Sequence, residues 1–196
     1  MARGPGRGYH AAVSTAPSFV SAAVVVALAA VALGDSAPAR CPAIPAALPA
    51  KLAAPRGLRL ALQLSASGTQ TYACQRGSGG AAGWSAAVPS AELRRCEPTG
   101  AVVGKHSAGP TWTWTDGSRF VGDKAAVRSA PSPEGPQNVA WLAVPRKEGS
   151  RSGALAPMVF VQRVDTAGGA PPSTACTPGQ SVSVPYRAVY LFYERP

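Results

Sequence analysis

Residues 104–122, GKHSAGPTWTWTDGSRFVG, contain the clearest fold signal of the chain. Residues 111–115 alternate tryptophan with β-branched threonine, and both residue types favour a pleated strand. Asp116-Gly117 comes next, a pair that favours a type I′ turn because both central residues of that turn need positive φ. Residues 118–122 then form a returning strand. The segment therefore predicts a β-hairpin.

Trp112 and Trp114 fall on one face of this hairpin because side chains alternate along a strand. Large aromatic side chains dominate burial in small domains, which favours a place in the core. The alternative is an exposed platform on which a sugar or another flat ligand stacks. Both tryptophans are therefore candidate ligand-binding residues as well as candidate core residues.

Strand patterns separated by turn signals continue on both sides of the hairpin. Leucines alternate with other residues over 58–65, a turn is expected at Ser67-Gly68, and residues 69–75 return. The run VAWLAV at 139–144 is continuously apolar, as in a fully buried strand. Further strands are expected at 84–88, 91–96, 101–106, 124–129, 158–164 and 182–193. About ten short antiparallel strands without a helical period predict an all-β single domain, a sandwich or a barrel.

The first 39 residues differ in composition from the rest. Residues 19–33, FVSAAVVVALAAVAL, form an apolar run that matches a secretory signal and is shorter than the roughly 20 residues of a membrane-spanning helix. Ala37-Pro38-Ala39 provides a cleavage site of the A-x-A type. We expect residues 1–39 to be a cleaved signal peptide and the protein to be secreted to an extracellular compartment. Two alternatives stay open: a membrane anchor formed by residues 19–33, and a transit sequence leading to a plastid lumen.

Beyond the leader, residues 40–56 are rich in proline and alanine and predict an extended arm. Residues 57–196 form the predicted β-rich domain. The four cysteines all follow the leader, allow three pairings and form no CxxC motif. With one histidine after the leader, no metal site is expected. Two disulfides formed in an oxidising compartment are the favoured interpretation, with buried free thiols as the alternative.

The chain is basic, with a formal net charge of +10. Its positive charges are spread along the sequence, with no basic helix, so a nucleic-acid partner is not expected. Attraction to anionic polysaccharide or cell-envelope material fits an exported protein better. A solvated basic surface without a partner is the competing interpretation, and a membrane is expected only if the leader stays uncleaved.

Several segments resemble a family of secreted proteins catalogued as domain of unknown function 3455. The matching segments appear in the order of that family: ASGTQTYAC (66–74), VVGKHSAGPTW (102–112), DGS (116–118), SAPSP (129–133), AWLAV (140–144), VQRVDTAGGAPP (161–172) and VPYRAVYLFY (184–193). The resemblance implies an exported β-rich domain and brings no established activity. Some members carry an automatic malate dehydrogenase label, but Gly4, Gly6 and Gly8 lie in the leader and follow no strand, so nothing in this sequence supports hydride transfer.

The resemblance also implies a disulfide pairing. The family has a cysteine at the end of the TYAC strand and another before the last strand, which match Cys74 and Cys176. Cys41 and Cys96 would then form a second bridge that holds the arm. Asp165 stands where relatives usually have asparagine, which puts any role of that amide in doubt.

Few residues offer catalytic chemistry. His106 and Asp116 are the candidate catalytic pair, which with Ser107 or Thr111 would make a small hydrolase or isomerase. No nucleophile elbow supports this hypothesis, and no cofactor is expected. Arg163 is expected to form a surface ion pair with Asp165, and the alternative is an arginine that binds a carboxylate or sugar. We therefore favour an extracytoplasmic binding or structural module, with a small secreted hydrolase or isomerase that uses His106 and Asp116 as the alternative.

Overall fold

The computed structural model describes residues 1, 2, 4, 41, 43–96 and 100–196. Within these residues, ten strands form one antiparallel sheet, and eight of them close into a barrel. The strands are β1 (Arg59–Arg76), β2 (Ala82–Trp84), β3 (Val88–Arg95), β4 (Val102–Ser107), β5 (Thr111–Trp114), β6 (Arg119–Gly122), β7 (Arg128–Ala130), β8 (Trp141–Gly149), β9 (Met158–Gly168) and β10 (Ser181–Glu194). The predicted all-β fold is confirmed, and of the two predicted architectures the barrel is the one observed.

The barrel is closed by pairing between β1 and β10. The strand order is β10-β9-β8-β6-β5-β4-β3-β1, and the β1–β10 register runs from Arg59 opposite Glu194 to Ala73 opposite Ser181. β2 pairs with β1, and β7 pairs with β8. Closure leaves the eight barrel strands without a free edge, which removes the unpaired backbone groups that promote aggregation.

Alternating side chains of the barrel strands fill its interior. The largest of them are aromatic: Trp112 lies edge-on to Phe120, Tyr190 and Phe192 at centroid separations of 5.5, 5.5 and 6.0 Å. Edge-to-face packing at these distances stabilises beyond simple burial. On β10, side chains from Tyr186 to Phe192 at every second position belong to this interior core.

A second apolar cluster lies outside the barrel. The outward side chains of β8, β9 and β10, among them Trp141, Phe160 and Leu191, pack beneath the proline-rich arm. Leu52, in the short 3-10 helix Ala50–Leu52 of the arm, is fully buried there. We call this surface the covered wall. It explains why residues 139–144 are continuously apolar, because the first part of β8 is buried on both of its faces.

The outward side chains of β1, β3 and β4 form what we call the open wall. Neighbouring strands place Ser67 opposite Glu92 and Glu92 opposite Lys105. These side chains are exposed to solvent. The same barrel therefore has an apolar outer wall on one side and a polar one on the other.

The strand predicted at 84–88 does not form, since β2 ends at Trp84 and β3 begins at Val88. Three further local predictions were wrong. The first is the turn at Ser67-Gly68, since β1 runs through it as one strand of 18 residues. A Cβ at Gly68 would overlap the carbonyl oxygen of Ser90 and the backbone of Ala91. The glycine is therefore required by the close approach of β3 and does not mark a turn.

The second is the type of the hairpin turn. Only Gly117 has positive φ, at 84°, since Asp116 is not among the positive-φ residues of the described chain. Gly117 N–H donates to Trp114 O, and Trp114 N–H donates to Ser118 O. These bonds define a three-residue loop with a bulge at glycine, one of the common hairpin connections, in place of the type I′ turn. The hairpin itself is confirmed.

The third concerns residues 124–129, predicted as one strand. Lys124–Ala126 is a 3-10 turn, and only Arg128–Ala130 is a strand, β7. The Asp123 carboxylate accepts a hydrogen bond from Ala125 N–H at 3.0 Å, which stabilises the turn. A polar side chain that bonds its own neighbouring backbone competes in this way with strand formation.

Two disulfides connect the barrel to the segments that cover it. Cys74 pairs with Cys176, and Cys41 pairs with Cys96, in the pattern that the family resemblance implied. The first attaches the segment that follows β9 to β1, and the second attaches the arm to the end of β3. Each bridge closes a long loop, where the loss of chain entropy in the unfolded state stabilises most.

The described chain forms one compact unit within Ser36–Pro196. Almost all of the predicted leader, including the apolar run 19–33, lies outside the described residues. None of the helices in the described residues has the length and apolarity needed to cross a membrane. The leader therefore stays a prediction.

Candidate functional site

His106 lies inside the barrel on β4. It is 4% exposed, stacks on Trp112 at a centroid separation of 4.4 Å and meets Tyr190 edge-on. Its Nδ1 is 3.0 Å from Thr111 O, and because a carbonyl only accepts, the neutral ring donates its Nδ1 proton there. Burial lowers the pKa of His106 to about 3, so the ring is neutral at physiological pH.

Asp116 lies in the exposed hairpin turn, where it attaches a neighbouring loop. Its carboxylate accepts hydrogen bonds from Ser118 N–H at 2.7 Å and from Ala154 N–H at 2.8 Å. The Ser118 side chain, followed by the two backbone N–H groups, lowers the pKa of Asp116. Ser118 Oγ also accepts from the N–H of Leu155, whose side chain is fully buried in the core. The Asp116 turn thus positions the loop that carries Leu155.

The structure does not bring His106 and Asp116 together. The polar contact of His106 is to Thr111, and those of Asp116 are to Ser118 and Ala154. Ser107 is exposed on the opposite face of β4, and Thr111 Oγ1 donates to Gly109 O at 3.3 Å. Neither Ser107 nor Thr111 therefore presents its hydroxyl to the His106 ring, and this geometry favours a structural role for His106 and Asp116.

Trp112 and Trp114 are both buried in the barrel core, at 2% and 9% exposure. The guanidinium of Arg95 lies over the Trp114 ring, 5.5 Å from its centroid. Neither indole presents a free face of the kind that a sugar would stack on. Their burial favours the core interpretation over the exposed platform.

Arg163 projects into the barrel from β9. Its register partners are Tyr190 of β10, whose side chain belongs to the interior core, and Leu142 of β8, which packs against that core. Its Nε and Nη2 both donate to Ala140 O, at 3.0 and 2.8 Å. The side chain is partly buried. Arg163 is therefore an interior cation and not the surface arginine that we expected.

The predicted ion pair between Arg163 and Asp165 is wrong. The ion pairs found among the described residues join Arg59 to Glu194 and Arg94 to Glu92. Asp165 has a φ of +48° and lies where the β9–β10 register shifts, between the pairs that involve Arg187 and Val189. Such a bulge interrupts the strict alternation on which the prediction relied.

Sequence reasoning missed the other polar residues of the barrel interior. Gln70 is 1% exposed, and Tyr72 donates from its hydroxyl to Gly169 O at 2.6 Å. The hydroxyls of Tyr186 and Tyr190 lie 3.4 Å apart. The signal was present, because Gln70 and Tyr72 continue the even-numbered positions of β1 that Leu64 and Ala66 place inside the barrel.

Two adjoining open depressions lie on the outer surface around β6 and β8. One is lined by Arg119 and Glu148, and the other by Lys124, Lys147 and Glu148; each has a volume of about 460 Å³. Lys105 belongs to the same surface, since Thr113 of β5 lies between it and Arg119 in the register. We call Lys105, Arg119, Lys124 and Lys147 the basic strip, and all four side chains are exposed.

The described residues contain no group of three or more histidine, cysteine, aspartate or glutamate side chains that could hold a metal ion. The polar groups described in the interior are N–H groups, hydroxyls and an imidazole, and those along the basic strip are cationic N–H groups with single carboxylates such as Glu148. These groups suit hydrogen bonding and ion pairing with an acidic or hydroxyl-rich ligand.

Comparison with known proteins gives one match. A family model described as "Protein of unknown function (DUF3455)" matches residues 55–194, from the end of the arm to the end of β10. No curated protein and no solved structure matches the chain. Since the family model covers more than half of the chain and includes all ten strands, the protein belongs to this uncharacterised family.

Proposed function

We propose that this protein is a non-catalytic binding module of an oxidising, extracytoplasmic compartment and that its ligand is an acidic glycan of the cell envelope. The compartment is supported by the two disulfides, because such bridges persist where thiols are not kept reduced. The binding role is supported by the positions of His106 and Asp116, which serve the fold and not each other.

The basic strip carries the proposal. None of its four side chains takes part in the ion pairs found among the described residues. They lie along two open depressions that together offer an elongated surface, and Glu148 between them can accept hydrogen bonds from sugar hydroxyls. An array of unpaired cations raises the local concentration of a polyanion and is sensitive to salt.

The test is binding of the chain beginning at residue 40 to polygalacturonate, with neutral dextran as the comparison polymer. We expect binding to polygalacturonate that weakens as the salt concentration rises, and none to dextran. A double variant, Arg119→Glu with Lys147→Glu, should abolish binding. The matched control carries Lys51→Glu with Arg56→Glu, the same charge change on the exposed arm, and should retain most of it.

Equal losses in the two double variants would mean that net charge, and not the basic strip, attracts the polymer. That result would overturn the proposed site. Absence of binding to polygalacturonate, and to other acidic polysaccharides at low salt, would overturn the proposed function.

A further inference from the structure

The interior of the barrel contains a cation without a counterion. Arg163 faces the core, and its hydrogen-bond acceptors are neutral groups, the carbonyl of Ala140 and the hydroxyl of Tyr190. The ion pairs of the described chain lie elsewhere. Arg163 is partly buried, and withdrawing a charge even partly from water without an opposite charge costs free energy, so such groups are often paired or bind a ligand.

The other polar groups of the interior provide hydrogen-bond donors but no negative charge. Gln70 Nε2 and Trp112 Nε1 are buried and have no hydrogen-bond partner in the described structure. Burial raises the pKa of Tyr72 and of Tyr190 and lowers the pKa of His106. The positive charge of Arg163 acts on all three groups and in each case lowers the pKa. The interior thus combines one cation with unsatisfied N–H donors, and its acceptors, such as the Tyr186 and Tyr190 hydroxyls and the unprotonated Nε2 of His106, are all neutral.

These donors lie beneath one mouth of the barrel. A Cβ at Gly169 would contact Gln70, Val139 and Tyr186, so the Gly168-Gly169 segment forms the roof over them. Above this roof is a depression of about 540 Å³ with Pro136, Pro171, Pro172 and Val184 in its lining. Val184 is the register partner of Gln70, which places the apolar depression directly over the donor cluster.

We propose that this mouth of the barrel binds a small molecule that bears a carboxylate, with Arg163 and Gln70 donating to the carboxylate oxygens. An oxyanion supplies the missing counterion and an acceptor for the unsatisfied Gln70 donor, and a planar guanidinium suits a carboxylate in particular. The proline-lined depression receives the apolar part of the molecule. Entry requires a shift of the Gly168-Gly169 segment, whose φ values of +73° and +82° only glycine adopts without strain. This site is separate from the basic strip and does not depend on it.

The test measures thermal stability and tryptophan fluorescence of the chain beginning at residue 40 during titration with two acids. Benzoate represents an acid with an apolar body, and galacturonate represents an acidic sugar; benzamide and galactose are their neutral counterparts. A ligand of the folded state raises the melting temperature in proportion to its affinity and concentration. We expect at least one acid to raise it saturably while its neutral counterpart does not, with a change in the emission of Trp112.

Variants at the two donors separate binding from folding. Gln70→Met removes a buried donor that has no partner, so we expect the free protein to be at least as stable as the original and the affinity for the bound acid to fall at least about tenfold. Gln75→Met, an exposed position of β1, is the matched control and should leave the affinity unchanged. Arg163→Met should abolish binding.

Two results would overturn the proposal. One is that neither acid stabilises the protein more than its neutral counterpart does. The other is that Gln70→Met binds the acid as tightly as the original chain. Because Gln70→Met is expected to fold whatever happens to Arg163→Met, either result can be obtained.

Discussion

On the covered wall, the outward side chains of the barrel are Trp141, Phe160 and Leu191, whereas on the open wall they are Ser67, Glu92 and Lys105. Both walls belong to one closed sheet with a shared interior. The difference arises from residues 48–58, which pack on the covered wall and exclude water from it. A barrel strand is thus half buried or fully buried according to what packs on its outer face. A half-buried strand alternates apolar and polar residues, whereas a fully buried strand is continuously apolar.

From this difference we expect that shortening one apolar side chain of the arm destabilises the barrel far more than shortening one on the open wall. Leu52→Ala should lower the free energy of unfolding by about 2–5 kcal/mol, because it removes a fully buried side chain and leaves a cavity. Val88→Ala, at a half-exposed outward position of β3, should cost less than about 0.5 kcal/mol. Chemical denaturation measures both, and similar losses would show that the arm contributes little.

Removing a hydrogen bond should likewise lower the free energy of unfolding more on the covered wall than at an exposed position. Gln162 is fully buried under the arm, where it donates to Leu52 O and accepts from the Tyr193 hydroxyl, both at 2.6 Å. Gln162→Leu leaves the buried Leu52 carbonyl and the partly buried Tyr193 hydroxyl without this partner, so we expect a loss of about 1–3 kcal/mol.

The matched change is Thr71→Val, which removes the exposed hydrogen bond between Thr71 and Ser183 on β1 and β10. Water replaces that bond, so the loss in denaturation experiments should be below about 0.5 kcal/mol. A larger loss at Thr71 than at Gln162 would contradict the assignment of the two walls.

The interior that both walls share should respond to acid. The folded-state pKa of His106, about 3, lies below its ordinary value of 6.5, so the unfolded chain binds a proton first. The stability that the neutral ring provides is complete well above pH 6.5 and is lost as the pH falls toward 3. Between pH 6.5 and 5 we expect a loss of about 1–2 kcal/mol.

This loss should be absent in a His106→Gln variant, whatever its stability at neutral pH. Urea denaturation at several pH values provides the measurement. The range above pH 5 separates the effect of His106 from that of Asp116. Because the pKa of Asp116 is lowered in the folded state, its ionised carboxylate stabilises the fold above the unfolded-state pKa, and this stability is lost only at more acidic pH.

The smallest expected effect is at the bulge of β9. Burial and the nearby charge of Glu134 raise the pKa of Asp165, so its ionisation costs stability at neutral pH, and this cost disappears as the pH falls through the raised pKa. Asparagine tolerates positive φ well and carries no charge. Asp165→Asn should therefore stabilise the fold by a few tenths of a kcal/mol at pH 7, measured by calorimetry, and the gain should shrink in acid. Destabilisation by this change would show that the carboxylate makes a favourable contact.

Strand periodicity was enough to predict much of the barrel. The alternation in β10, the hairpin of β5 and β6 and the apolar run in β8 each depend on near neighbours, so the sequence reveals them directly. The turn at Ser67-Gly68 was predicted wrongly because glycine has two uses. It permits turns, and it also permits close approach of another strand, and only the position of β3 distinguishes them.

The candidate site was less predictable. His106 and Asp116 were grouped because they were the histidine and a nearby carboxylate, yet the strand takes one inside the barrel and the turn takes the other to the surface. Arg163 was assigned to the surface because arginine is usually there. Nothing in the neighbouring residues showed that β9 turns this side chain toward Tyr190 on the next strand.

The amino-acid sequence by itself determined the β class, the hairpin, the number of bridges available and the excess of positive charge. These depend on residue type and on spacing of a few residues along the chain. The tertiary structure alone decided that β1 closes onto β10, that the arm covers one wall, and that Arg163 shares the interior with Gln70 and Tyr190. The reason is that contacts between residues far apart in sequence follow from strand order and register, which local patterns do not encode.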